Sequence, residues 1–230
     1  MACRPMPTRL PCSILKANSR ADISPWNAAA ARPVNLMRPP LDTPENLDLG
    51  DPLAALLRPD ASPDSSLASR ETACRAFRDA LGGFATGVTV LTALAPDGQP
   101  VGVTISSFNS VSLQPPLILW SLACDSPRLE AFRHSRHYAV NVLAADQEWI
   151  SDRFASRDPD RFAGVRTIAG MSGVPLLHGC VACFECSSEA HYPGGDHIIF
   201  VGRVIRFSRH EQVDPLIFHG GRYRVLGDRC

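Results

Sequence analysis

Lysine is almost missing from this chain: Lys16 is the only one among 230 residues, and arginine supplies the other 22 basic side chains. A surplus of charge is missing altogether. The 23 basic residues match the 23 acidic ones, so no net field draws the protein to nucleic acid, and a small ligand or another protein is the expected partner. No apolar run approaches the roughly 18 residues of a membrane helix, and the N-terminus lacks the compact apolar stretch of a secretory signal. These absences give the expectation of a soluble, cytoplasmic protein, where reducing conditions keep the eight cysteines as thiols. What is abundant is apolar: 45% of the residues are hydrophobic, enough for one well-buried core at this length.

Residues 1–68 hold eleven of the twenty prolines and no sustained helical or strand period, which predicts a disordered N-terminal extension. Arg4, Arg9, Lys16 and Arg20 precede the first acid, Asp22, a pattern that resembles a transit peptide; a dispensable tail or an early start codon is the plainer reading. From residue 69 to 230 the texture is that of a packed domain. Ala73, Phe77, Ala80 and Leu81 form an apolar helical stripe ending at Gly82-Gly83. Two β-branched runs flank "PDGQ", a hairpin signal. Further strands are predicted at 116–123, 138–144, 180–191 and 197–207, with helices starting at "DSPRLE", capped by Ser126 with Pro127 first, and at "DQEW", capped by Asp146. Strands that follow one another through short turns predict a mainly β, closed antiparallel barrel with a few peripheral helices.

Four stretches carry possible chemistry. Cys180, Cys183 and Cys186 have the C-x2-C-x2-C spacing of cluster ligands, but a fourth thiolate is missing. On a strand, alternation would point Cys180 and Cys186 one way and Cys183 the other, so buried structural thiols are expected, and no metal. "VTISSFNSVS" crowds Thr104, Ser106, Ser107, Asn109 and Ser110 together, and the doublet Ser106-Ser107 breaks strand alternation, as at a bulge or strand exit offering donors to a ligand. The start of "DSPRLE", with Ser126 and Arg128, is either a phosphate site or an ordinary cap with a surface arginine. "YPGGDH" puts Asp196-His197 at a strand entrance, where the imidazole either orients a ligand or simply packs.

These pieces resemble, in order and approximate spacing, the flavin reductase family, the reductase components of two-component flavin-dependent monooxygenases. The blocks are "FRDALGGFATGVTVLTA" (77–93), "GVTISSFNSVSLQPPLILWSL" (102–122), "YAVNVLAADQEWISDRFA" (138–155), "RF" at 161, "GVPLLHGCVACFEC" (173–186), "GGDHIIFVGRV" (194–204) and "GGRYRVL" (220–226). The resemblance implies a homodimeric split β-barrel binding FMN or FAD, with NADH or NADPH as hydride donor and a monooxygenase as recipient of the reduced flavin. It implies that Thr86, Gly87, Val88, Thr104, Ser106, Ser107 and Phe108 contact the flavin, that Ser126 and Arg128 lie near its phosphate, and that Tyr223 closes the pocket. It also puts His197 where nicotinamide and flavin meet. Two other expectations stay open beside it: a flavoprotein that retains FMN and reduces a quinone, metal or corrin, and a flavin-binding module without turnover. The N-terminal extension, Cys180 and Cys183 depart from the family pattern.

Overall fold

A computed structural model describes residues 67–227. The proposed disordered extension therefore lies outside the described residues, except that Leu67 and Ala68 already belong to the first helix, α1 (Leu67–Gly82). Its apolar stripe is only partly covered. Ala73 is buried, whereas Phe77 and Leu81 are 48% and 58% exposed.

The body is antiparallel sheet. Seven strands lie in the order β3 (Pro100–Ile105), β2 (Thr89–Leu94), β6 (His137–Val142), β9 (Ala182–Gly194), β10 (His197–Arg209), β5 (Pro116–Ala123) and β4 (Asn109–Leu113). A small sheet joins β1 (Thr86–Gly87) to the hairpin of β11 (Ile217–His219) and β12 (Arg222–Arg224), and β7 (Thr167–Ala169) pairs with β8 (Pro175–Leu177). The β2–β3 turn follows from its sequence: Gly98 takes φ +81°, a left-handed conformation that costs glycine little, and Gln99 N–H is held by Asp97 Oδ1 at 3.0 Å. Two short helices, α2 (Leu129–His134) and α3 (Glu148–Ala155), lie among the strands. Both start later than the capping residues predict. Arg128 and Gln147 occupy the cap positions, neither with a capping side-chain bond. The Gln147 side chain instead accepts from Ala144 N–H and donates to the His178 carbonyl, tying the loop down.

The β3 end of the seven-stranded sheet is tied to β5 by a side chain instead of by a ladder. Where β3 ends, Ser107 Oγ accepts from Ser121 N–H at 2.9 Å and donates to the Ser121 carbonyl at 3.1 Å, so one hydroxyl bridges the strand exit to β5. The fold is a split β-barrel with peripheral helices. Its core is aromatic: Trp120 stacks on Phe200 with centroids 4.1 Å apart, and Phe132 and Tyr138 meet Trp120 edge-on at 5.2 and 5.5 Å. Gly202 makes room for this cluster, since a Cβ there would sit 1.9 Å from the Tyr138 hydroxyl oxygen.

Candidate functional site

A cavity of about 650 Å³ opens beside the closure of the barrel. Thr104, Ile105, Ser106 and Ser107 come from the end of β3 and its exit. Ser121 and Ala123 come from the face of β5 opposite Trp120, and His197 and Ile199 from the start of β10. Val88 and the β11–β12 hairpin, through Phe218 and Tyr223, supply the far wall, and Ser151 and Ala155 of α3 the floor. The wall is thus apolar with hydroxyls set into it. No Asp, Glu, Lys or Arg is among the lining residues.

Hydrogen bonds hold these groups in fixed directions. Thr104 Oγ1 donates to the Ser151 carbonyl at 2.6 Å, pinning β3 to α3. Tyr223 OH donates to Asp152 Oδ1 at 2.8 Å and lies 2.8 Å from Ser151 Oγ, so the serine hydroxyl donates to the phenol oxygen. Burial, reinforced by the Asp152 carboxylate, pushes the Tyr223 phenol up and keeps its proton in place. At the opposite rim the β9–β10 turn runs through Gly195 at φ +73° and delivers Asp196 and His197. His197 Nδ1 lies 2.7 Å from Asp196 Oδ1. That hydrogen bond holds the Asp196 carboxyl below its usual range. A carboxylate on Nδ1 makes that nitrogen the donor, leaving Nε2 of a neutral ring as the acceptor.

Six of the eleven residues singled out in the sequence line this one cavity: Val88, Thr104, Ser106, Ser107, Tyr223 and His197. The other five lie off it. Thr86 and Gly87 form β1, paired with Phe218 and Ile217, immediately before Val88; Thr86 Oγ1 is buried without a hydrogen-bond partner. Phe108 turns inward, its ring 5.7 Å from that of Phe184. Ser126 and Arg128 sit in the turn before α2, where Ser126 Oγ receives a weak bond of 3.4 Å from Arg128 N–H, and Arg128 faces a second, smaller cavity. Among the residues that sequence reasoning missed, Ser121 and Ala123 carried a usable signal, since alternation from buried Trp120 puts them on the other face of β5. Ser151 carried none, because its position depends on where α3 lands against β3.

The cysteines arrange differently from the expectation. β9 begins only at Ala182, so alternation does not reach Cys180. Cys180 joins Cys183 in the cluster around Val90, Leu143 and Phe154, while Cys186 points to the Trp120 side. The hydrogen bond with Cys183, together with burial, pushes the Cys180 thiol up, and burial pushes the Cys186 thiol up to about 12. Among the described residues no three His, Cys, Asp or Glu side chains converge as a metal site.

The cavity suits a flat heteroaromatic ring: Val88, Ile105, Leu122, Ile199 and Phe218 give apolar area, and hydroxyls and a ring nitrogen stand at its edges. The comparisons with known proteins agree with that shape. A family model described as a flavin reductase like domain matches residues 81–227. The FMN reductase (NADH) SmoA of Agrobacterium fabrum is 48% identical over 149 residues, which are 65% of this chain and 84% of that protein. The reductase subunit HsaB of a flavin-dependent monooxygenase from Rhodococcus jostii is 41% identical over 160 residues, 70% of this chain and 82% of the other. Among solved structures, the Streptomyces globisporus NADH:FAD oxidoreductase SgcE6, in complex with NAD and FAD fragments, superposes with a TM-score of 0.63 at 40% identity, covering 66% of this chain and 91% of its own.

Proposed function

The chain belongs to the flavin reductase-like domain family, and from that premise we propose that it is an NAD(P)H-dependent flavin reductase that passes reduced FMN or FAD to a partner monooxygenase. The observation that carries the reading is the content of the large cavity: apolar walls, hydroxyls and one imidazole, with no carboxylate and no nucleophile–base pair. Such a site can stack two rings and position them, but it offers nothing for hydrolysis or group transfer to a side chain. Bound flavin supplies the hydride acceptor, and C4 of NADH or NADPH the donor.

The residues divide the remaining work. Val88 and Phe218 give the ring an apolar face. Ser107 is committed to closing the barrel through Ser121, so the donor it offers the ring edge is limited, whereas Ser106 is exposed at the strand exit and presents its hydroxyl. Thr104 Oγ1, already donating to Ser151, has only acceptor capacity left for a ligand N–H. His197, oriented by Asp196, stands at the mouth where a nicotinamide would enter and orients it or stabilises charge developing on the ring. Tyr223 closes the far side. Relatives named as monooxygenase reductase subunits support the partner. We also propose a cytoplasmic location, since no described helix is long and apolar enough to cross a membrane, and a homodimer, since Leu113, Phe207 and Phe84 are each at least 74% exposed.

The test is a kinetic matrix of NADH and NADPH against FMN, FAD and riboflavin. NADH or NADPH consumption that rises in proportion to added free flavin supports the reductase. Turnover that ignores added flavin but responds to a quinone, metal or corrin replaces it with the retained-flavin enzyme, and binding without nicotinamide oxidation replaces it with the binding module.

A further inference from the structure

Two thiols whose spacing on a strand would hold them apart meet in this fold. Three residues of extended chain span about 10 Å at roughly 3.3 Å each, beyond the ~7 Å between Cα atoms that a disulfide tolerates. Cys180 and Cys183 escape that limit because the chain between them is not extended. Gly179 takes φ +80°, the chain bends at Val181, and β9 starts only at Ala182. Both side chains therefore enter one apolar cluster, with Cys180 2% and Cys183 8% exposed, and a hydrogen bond joins them. Cys186 lies three residues farther along β9 and on the Trp120 side, so the extended strand keeps it from Cys183.

The two thiols are not equivalent. The hydrogen bond from Cys180 pulls the Cys183 thiol down, against burial and the Glu185 carboxylate, whereas that bond and burial push Cys180 up. The Cys180 S–H is thus the donor, and Cys183 carries the sulfur readier to give up its proton. Cys183 Sγ in turn donates to Asn141 Oδ1 at 3.4 Å, but that oxygen also accepts from Leu177 N–H at 2.9 Å. Loss of the thiol proton therefore leaves no buried acceptor orphaned there.

The pair stands behind the far wall of the large cavity. Val88, Phe218 and Tyr223 pack with the cluster that holds both cysteines and also line that cavity. Flavin reduced there yields hydrogen peroxide when it meets oxygen before a partner, and peroxide is a small, uncharged oxidant. We infer that Cys180 and Cys183 form an oxidisable dithiol that closes to a disulfide with hydrogen peroxide released at the large cavity. The inference rests on the reading of that cavity as a flavin reductase site for the source of the peroxide, though not for the reactivity of the pair. The Cys183 sulfur attacks one peroxide oxygen, the O–O bond breaks, and the departing hydroxide leaves as water with the thiol proton. The Cys180 sulfur then attacks the sulfenic acid at Cys183, the S–S bond replaces the S–O bond, and a second water leaves with the Cys180 proton. The two thiols lose two electrons, and one peroxide gains them. In a reducing compartment a disulfide of this kind is transient and redox-responsive.

Mass spectrometry on the full chain tests the inference without requiring turnover. The reduced protein is exposed to hydrogen peroxide, denatured in an alkylating reagent, and compared with a sample first treated with dithiothreitol. Of Cys180, Cys183 and Cys186, only Cys186 should alkylate without dithiothreitol, and all three should alkylate after it. Cys183→Ala should leave Cys180 alkylatable after the same exposure, and Cys180→Ala should carry Cys183 past the sulfenic to the sulfinic acid; either variant suffices where the other fails to fold. Full alkylation of Cys180 and Cys183 after peroxide, or a disulfide that includes Cys186, overturns the inference. A second arm replaces added peroxide with NADH, FMN and air, and should close the same disulfide, but not when oxygen is excluded. If added peroxide closes the pair while no nicotinamide is consumed, the reductase reading fails and the dithiol stands. Nicotinamide consumption in air that leaves the pair reduced overturns the link to the cavity.

Discussion

β5 and β10 each present two unlike faces, and the contrast between them explains how one sheet serves stability and chemistry together. On one face Ile118, Trp120 and Phe200 are buried at 5% exposure or less, and the Trp120 and Phe200 rings stack. On the other, Ser121, Ala123, His197 and Ile199 border the large cavity. Because side chains alternate, adjacent residues such as Trp120 and Ser121 belong to different problems: one must exclude water and the other must meet a ligand. A change on the first face should be felt in folding and a change on the second in kinetics.

The largest effect expected is on the core face. Trp120→Ala removes the ring that Phe132, Tyr138 and Phe200 all touch, and should cost about 3–5 kcal/mol of stability in urea unfolding. If the unfolding midpoint barely moves, the two faces are not energetically distinct and the contrast is broken. His197→Ala is the counterpart on the cavity face. Its side chain is 44% exposed and bonds only to the neighbouring Asp196, so unfolding should be unchanged within error while nicotinamide oxidation falls about a hundredfold. Wild-type turnover in that variant would remove His197 from the reaction.

The same contrast shows which parts of the molecule could be read in the chain beforehand. Strand β5 was legible to the residue, because a run of Leu, Ile and Trp between Pro116 and Cys124 admits little else, and so was the Asp97-Gly98 turn. The site was legible only where neighbouring residues in sequence are also neighbours in the site, as in Thr104 to Ser107. Phe108 continues the same motif, but once the strand ends at Ile105 the chain turns and sends the ring toward Phe184. Cys180 misled for a related reason: alternation applies only inside a strand, and β9 starts two residues later. Phe77 and Leu81 show the opposite failure, a helical stripe whose period is sound but whose face the described chain does not cover. The burial of Arg161 was beyond reach, since it depends on carbonyls of Gly102 and Phe154 from two distant elements.

A smaller effect sharpens the cavity face itself. Tyr223→Phe keeps the ring against Phe218 at the pocket wall but deletes the hydroxyl shared with Ser151 and Asp152. Ser151, 0% exposed, then loses its acceptor, a cost of about 1 kcal/mol. Flavin affinity should drop a few-fold with kcat little changed, because the phenol holds the wall and does not touch the transferred hydride. A fall in kcat with affinity preserved would move Tyr223 from closing the pocket to acting on the reaction.

The smallest expected effect concerns thiols that take no part in the hydride transfer. Cys186 is 0% exposed on the aromatic side with its thiol pushed up to about 12; on the other side Cys180 and Cys183 are free, buried thiols whose hydrogen bond pushes Cys180 up and Cys183 down. A disulfide reagent must reach the sulfur, and all three are buried, so none of them should label at pH 8 in the native state, whereas Cys124, exposed in the turn after β5, should label at once. Mapping the labelled peptides by mass spectrometry separates these sites from cysteines elsewhere in the chain. Rapid native labelling at Cys180 or Cys183 would show that the cluster around Phe154 opens readily, and since Ser151 and Ala155 of the same helix line the large cavity, it would make that floor a moving one.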